Sequence, residues 1–214
     1  MSAPRRLEDC PSVIYIVYTP GPEAEAKGYE PWLRSVDNPF FNAIPGVHHY
    51  ANWKLERVLD GAPLPYDYLD FQGLVGHEDL ERVWFNKDLD GFRTEWVRLW
   101  GYGTGKPAPI QANAYLMKPV QEPAGTPTPY ARISGGTGAT PTGHDLAWRF
   151  EETIRKHFSM GPAAGAWHVP ISQDNPLGLD WLVLDYGEGV DALAEPTSPP
   201  GTTVSFVARL LAAP

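Results

Sequence analysis

Three short runs in this 214-residue chain put acid–base and hydrogen-bonding side chains at every second position. His48, Tyr50 and Asn52 alternate in HHYANW, Tyr68, Asp70 and Gln72 in YLDFQ, and Asn113 and Tyr115 in NAY. Alternation with a period of two puts each set on one face of a strand. A face carrying His, Asp, three Tyr and three amides suits proton transfer. The imidazole of His48 titrates near neutral pH and would act as general base or acid. Asp70, on the neighbouring strand, would orient it. Tyr50, Tyr68 and Tyr115 could donate hydrogen bonds to a developing enolate or phenolate, with Asn52, Gln72 and Asn113 assisting. Tyr15, in the first strand-like run, joins the same lining.

The elements that must hold these residues follow from composition and periodicity. Ser12–Thr19 (SVIYIVYT) reads as a strand ending at Pro20-Gly21. A helix is expected from about Tyr29, with Pro31 in its first turn. Strands follow at Val47–Leu55 and Tyr66–Val75. Glu78–Trp100 has helical spacing, with a break expected near Asp90-Gly91, and Ile110–Val120 is a fourth strand. The order β-α-β-β-α-β is that of a ferredoxin-like unit.

After a Pro/Thr/Gly-rich linker at 121–129 the pattern returns in residues 130–214. It gives a strand at Tyr130–Ser134, a glycine-rich loop at 135–143, and a helix with Leu146, Phe150, Ile154 and Phe158 in one stripe. Strands at Ala164–Ile171, Asp180–Asp185 and Thr202–Leu211 complete it. The repeat is visible in the residues: Gly46-Val47-His48-His49 and Asp67-Tyr68-Leu69 in one half, Gly165-Ala166-Trp167-His168 and Asp180-Trp181-Leu182 in the other. Repetition at this scale sets the architecture. The expected fold is therefore α+β: two ferredoxin-like units, residues 1–120 and 130–214, packed as an α+β barrel, the second with a reduced second helix. On this reading Trp167 and Trp181 form an apolar wall opposite the polar one, the composition of a small-molecule pocket.

Composition narrows the function classes. A formal charge of −9 and a pI near 5.1 argue against a nucleic-acid or anionic-membrane surface. The single Cys10 excludes an internal disulfide framework and points to a reducing, cytoplasmic setting. No apolar run reaches membrane-spanning length. Gly101–Lys106 fails as a phosphate loop because Trp100 stands where that loop needs its first Gly and Pro107 follows the Lys. No nucleophile elbow, zincin helix or cysteine pair is present. His49 and His168 read as structural histidines on the opposite strand face, and His77, His144 and His157 as cap or surface residues. A plainer alternative has the polar face simply turned to solvent.

The segment YEPWLRSVDNPFFNAIPGVHHYANW (29–53) resembles the dimeric α+β barrel superfamily, in particular its EthD-like branch. Trp32 and Ile44-Pro45-Gly46-Val47 match. Where many members place a His, this chain has Asn38, before Pro39, so a mechanism built on that His does not carry over. The resemblance covers residues 12–120 and implies a superfamily of mixed chemistry, from cofactor-free oxygenases and haem-degrading enzymes to cyclases, isomerases, dehydratases and decarboxylases, so it does not fix the reaction. The His48–Asp70 face leads to a cofactor-free acid–base enzyme, of isomerase, cyclase, dehydratase or decarboxylase type, acting as monomer or homodimer on a small aromatic or polyketide-like substrate. Two alternatives remain open: a haem-dependent or cofactor-free monooxygenase, and a non-catalytic ligand-binding or assembly protein.

Overall fold

The computed structural model describes residues 5–61, 66–84, 88–100, 112–150, 178–195 and 197–214. It contains eight strands: β1 (Ser12–Tyr18), β2 (Val47–Gly61), β3 (Tyr68–Leu74), β4 (Ala112–Pro119), β5 (Tyr130–Gly136), β6 (Leu146–Phe150), β7 (Trp181–Gly187) and β8 (Thr202–Ala212). They form one closed ring in the order β1-β3-β2-β8-β5-β7-β6-β4, in which every neighbouring pair is antiparallel. The order inside each half is the same. β4-β1-β3-β2 is matched by β8-β5-β7-β6, and the halves join along β2–β8 and β4–β6. The two halves thus share a strand order, with β6, not the expected Ala164–Ile171, in the place that β2 takes in the first half.

The expectation of an α+β barrel built from ferredoxin-like units, each with two helices, is overturned. The molecule is a closed eight-stranded antiparallel β-barrel, mostly sheet, with few short helices. Among the described residues the α-helices are α1 (Tyr29–Trp32), α2 (Asn38–Asn42), α3 (Asp79–Trp84), α4 (Asp88–Trp100) and α5 (Val190–Ala194). The run read as the start of a helix with Leu146 and Phe150 in its stripe is strand β6, paired with β4 and β7. A short apolar run fits both periods, and here the open edges of β4 and β7 decide it. Gly91 lies inside α4, so no helix break occurs there. The strand expected at Ala164–Ile171 falls outside the described residues. Among those described, no helix is long and apolar enough to cross a membrane.

Apolar side chains fill the ring. Val13, Tyr15, Trp53, Phe71, Trp148 and Phe206 belong to one buried cluster that draws on all eight strands. An eight-stranded barrel is just wide enough for side chains to fill it. The faces of β2, β3 and β7 point the other way from the sequence expectation, whereas Tyr15 of β1 and Tyr115 of β4 face the interior as expected. Ala51 and Trp53 of β2, with Leu69 and Phe71 of β3, point inward, whereas Tyr50, Asn52, Tyr68, Asp70 and Gln72 point outward, under the helices. A bulge between Val47 and His49 breaks the alternation at the start of β2, so Val47 and Tyr50 share one cluster although three residues apart.

Candidate functional site

The polar centre sits where residues 29–42 cross the outer face of β1, β3 and β2. These residues run as α1, a π-helical turn at Leu33–Asp37, then α2. Gly28 opens the helix in the left-handed region at φ 91°. Pro39 supplies no N–H to the Ser35 carbonyl and its ring would crowd that carbonyl in a regular helix. The wider turn immediately before it relieves that conflict, and such π-turns are frequent at functional sites. Its last residue, Asp37, is thereby aimed at the sheet.

Asp37 and Asp70 are both about 3% exposed, and one tyrosine joins them. The Tyr50 hydroxyl lies 3.0 Å from Asp37 Oδ2 and 2.8 Å from Asp70 Oδ2. Asn52 Nδ2 donates to Asp37 Oδ2 at 2.8 Å and to Asp70 Oδ1 at 3.0 Å. The Tyr18 hydroxyl donates to Asp70 Oδ1 at 3.3 Å. Asn38 Nδ2 reaches Asn52 Oδ1 at 3.1 Å and the Tyr50 carbonyl at 2.9 Å, while Asn42 caps the Tyr50 backbone through both ends of its amide.

A hydroxyl has one hydrogen. Tyr50 can donate to only one of the two carboxyl oxygens that flank it, so the second short contact needs a proton on the other carboxyl. Burial supports this. It pushes Asp37 up to about 7, against the hydrogen bonds from Asn52 and Tyr50 that favour the anion. Asp70 is pushed well above the usual carboxyl range by burial and then by the negative charge of Asp37. Tyr18, Tyr29 and Tyr50 are all raised by burial first, so their hydroxyls stay protonated.

Of the residues expected from sequence to form the site, Tyr50, Asn52 and Asp70 come together here. His48 does not join them. It sits at the bulge, with Nε2 4.0 Å from Asp9 Oδ2, so the pairing of His48 with Asp70 is not formed. Tyr68 stacks on Tyr18 at 5.9 Å, but its hydroxyl donates to Glu25. Gln72 is fully buried opposite Tyr50, with neither end of its amide bonded.

Tyr15 and Tyr115 lie inside the barrel, 6.2 Å apart. Asn113 pairs through its backbone with Val17. Trp181 is buried on the outer face, with Nε1 donating to the Thr137 carbonyl at 3.1 Å. Trp167 lies outside the described residues. Asp37, Tyr18 and Asn42 are the members that the strand alternation missed. The sequence signal that could have drawn attention to Asp37 is its place four residues after Leu33 in a helix-like run.

A cavity of about 10 Å³ bounded by Tyr15, Val17, Leu55, Tyr66, Leu179 and Phe206 matches roughly one water. The described residues include no group of three or more His, Cys, Asp or Glu arranged to hold a metal ion.

The second half carries a different polar set on its outer face. His144 Nδ1 lies 3.0 and 2.9 Å from the two oxygens of Asp185. Arg132, opposite Asp185 on β5, is 4% exposed and donates to Ser205 Oγ at 3.0 Å and Ser198 Oγ at 2.9 Å. Burial lowers its pKa, and Asp185 and Asp60 act to raise it. Comparison with known proteins places none of this in a named group: no family model, no curated protein and no solved structure matches the chain.

Proposed function

We propose that the protein is a cofactor-independent acid–base enzyme whose proton-transferring group is the Asp37–Tyr50–Asp70 set. The observation that carries this reading is the Tyr50 hydroxyl held between two buried carboxyl oxygens. A carboxyl pair that retains one proton near neutral pH holds both a base and an acid. The anionic member removes a proton from carbon next to a carbonyl, and the protonated member or Tyr50 donates to the resulting enolate oxygen. Returning the proton to a different carbon completes an isomerisation. The fitting substrate is a small enolisable aromatic or polyketide-like carbonyl compound, which enters as residues 29–42 lift at the π-turn. With its single cysteine and acidic surface, the chain suits the cytoplasm.

The test is solvent exchange. Aryl and cyclic 1,3-dicarbonyl compounds are incubated with the protein in D₂O and followed by NMR. Catalysed exchange at the α-carbon that is lost in Asp70→Asn supports the reading. Exchange equal to buffer, or unchanged in that variant, overturns it. The close packing favours a second reading, in which the barrel is non-catalytic and the polar set fastens the helix to the sheet. That reading predicts no exchange with any of these compounds.

A further inference from the structure

We infer that residues 29–42 are latched to the barrel by one proton held among Asp37, Tyr50 and Asp70, and that losing it releases the helix. This holds whether or not the site turns over a substrate. The latch joins two separable bodies: Asp37 belongs to the helix, whereas Tyr50 and Asp70 belong to β2 and β3. With the proton in place, every short contact in the trio has a hydrogen to share. Without it, two carboxylates face one hydroxyl in a site closed to water, and one contact becomes a repulsion between lone pairs.

Among the described residues no cation bonds to the trio. β1 contributes Tyr18, β2 contributes Tyr50 and Asn52, β3 contributes Asp70, and the helix itself adds Tyr29, whose hydroxyl accepts from Trp96 of α4. The cations on this side of β2 and β8, Lys54 and Arg209, are engaged with Glu25, Glu30 and Glu56. Gln72 marks the place where release is helped. Its amide is fully buried and unbonded at both ends beside Tyr50. Water admitted by an opening helix would satisfy it, which lowers the cost of opening.

Hydrogen–deuterium exchange of the peptide covering Leu33–Asn42 tests the latch, with rates corrected for the intrinsic effect of pH. Protection should fall about tenfold per pH unit, the slope for one proton, from about pH 4, where a released carboxyl ionises, up to the pH at which the closed trio itself gives the proton up, and then level off. Peptides from β5 and β7 should show no such change. Asp37→Asn, whose amide always carries a donor, should give a flat profile. A flat profile in the wild type, or a wild-type slope in Asp37→Asn, overturns the latch. Should that variant not fold, infrared spectra of the wild type in D₂O decide. A protonated-carboxyl band at pH 6 is expected, and its absence overturns the inference.

Discussion

Asp70 and Asp185 occupy corresponding strands, β3 and β7, and are neutralised in opposite ways. Asp70 stands across from Ile16, and its partners are the hydroxyls of Tyr18 and Tyr50 and the amide of Asn52. Asp185 stands across from Arg132 and also holds His144. A buried acid beside a cation can stay charged, whereas one beside another acid is driven to keep a proton. Among the described residues, the pair of buried acids that face one another therefore lies in the first half.

Asp70→Asn and Asp70→Ala should separate. The amide keeps a donor toward Tyr50 and an acceptor for Asn52, so at pH 7 its unfolding free energy in urea should lie within about 1 kcal/mol of wild type. The alanine leaves Tyr50, Asn52 and Tyr18 without a partner and should cost at least ~2 kcal/mol. Equal losses would mean that the carboxyl acts through its charge.

Tyr50→Phe removes the single hydrogen between the two carboxyls while keeping the ring that stacks on Phe41 at 4.4 Å. A loss of ~1–3 kcal/mol is expected in chemical denaturation, the range for a buried polar group deprived of its partner.

Stability should decline from acid toward neutral pH. A carboxyl whose folded pKa is raised stabilises fully below its unfolded value and loses that contribution as pH rises through the folded one. Asp37 is pushed up to about 7 by burial, so its share of the melting temperature, read by calorimetry, should be lost progressively from about pH 4 to about pH 7. Glu25 is shifted the other way by its bonds from Lys54 and Tyr68. Its share is present above its unfolded value and fades as pH falls through its folded one, so the losses below and above about pH 4 have different sources.

Cys10 and Gly73 form a second testable pair. The buried thiol occupies the space that a side chain at Gly73 would need. Gly73→Ala should cost ~1–3 kcal/mol through overpacking, and Cys10→Ala in the same chain should recover much of it. Burial pushes the thiol up to about 12, so native protein should react with a disulfide reagent at pH 8 far more slowly than urea-unfolded protein.

The strands of the first half were legible because Ser12–Tyr18 and Tyr68–Leu74 are β-branched, aromatic and bounded by turn residues. The facing of Val47–Gly61 and Tyr68–Leu74 was not. Alternation tells which residues share a side, but the closure of the ring decides which side is interior, and closure depends on β6 and β8 far along the chain. The bulge at His48 further shifted the parity of the most tempting histidine. Asp37 escaped because its partners are on strands, so no local pattern joins a helical acid to Tyr50 and Asp70. β6 escaped because LAWRF satisfies either period until its neighbours are known.

The strand ring closes only through β2–β8 and β4–β6, so each half supplies both borders of the other. Alone, either half would present two strands with unpaired N–H and C=O groups, a template for self-association. The chain behaves as a dimer whose subunits cannot leave. Cut between residues 121 and 129, the fragments should be recovered as a one-to-one complex when produced together, and as aggregates or self-paired species when produced apart.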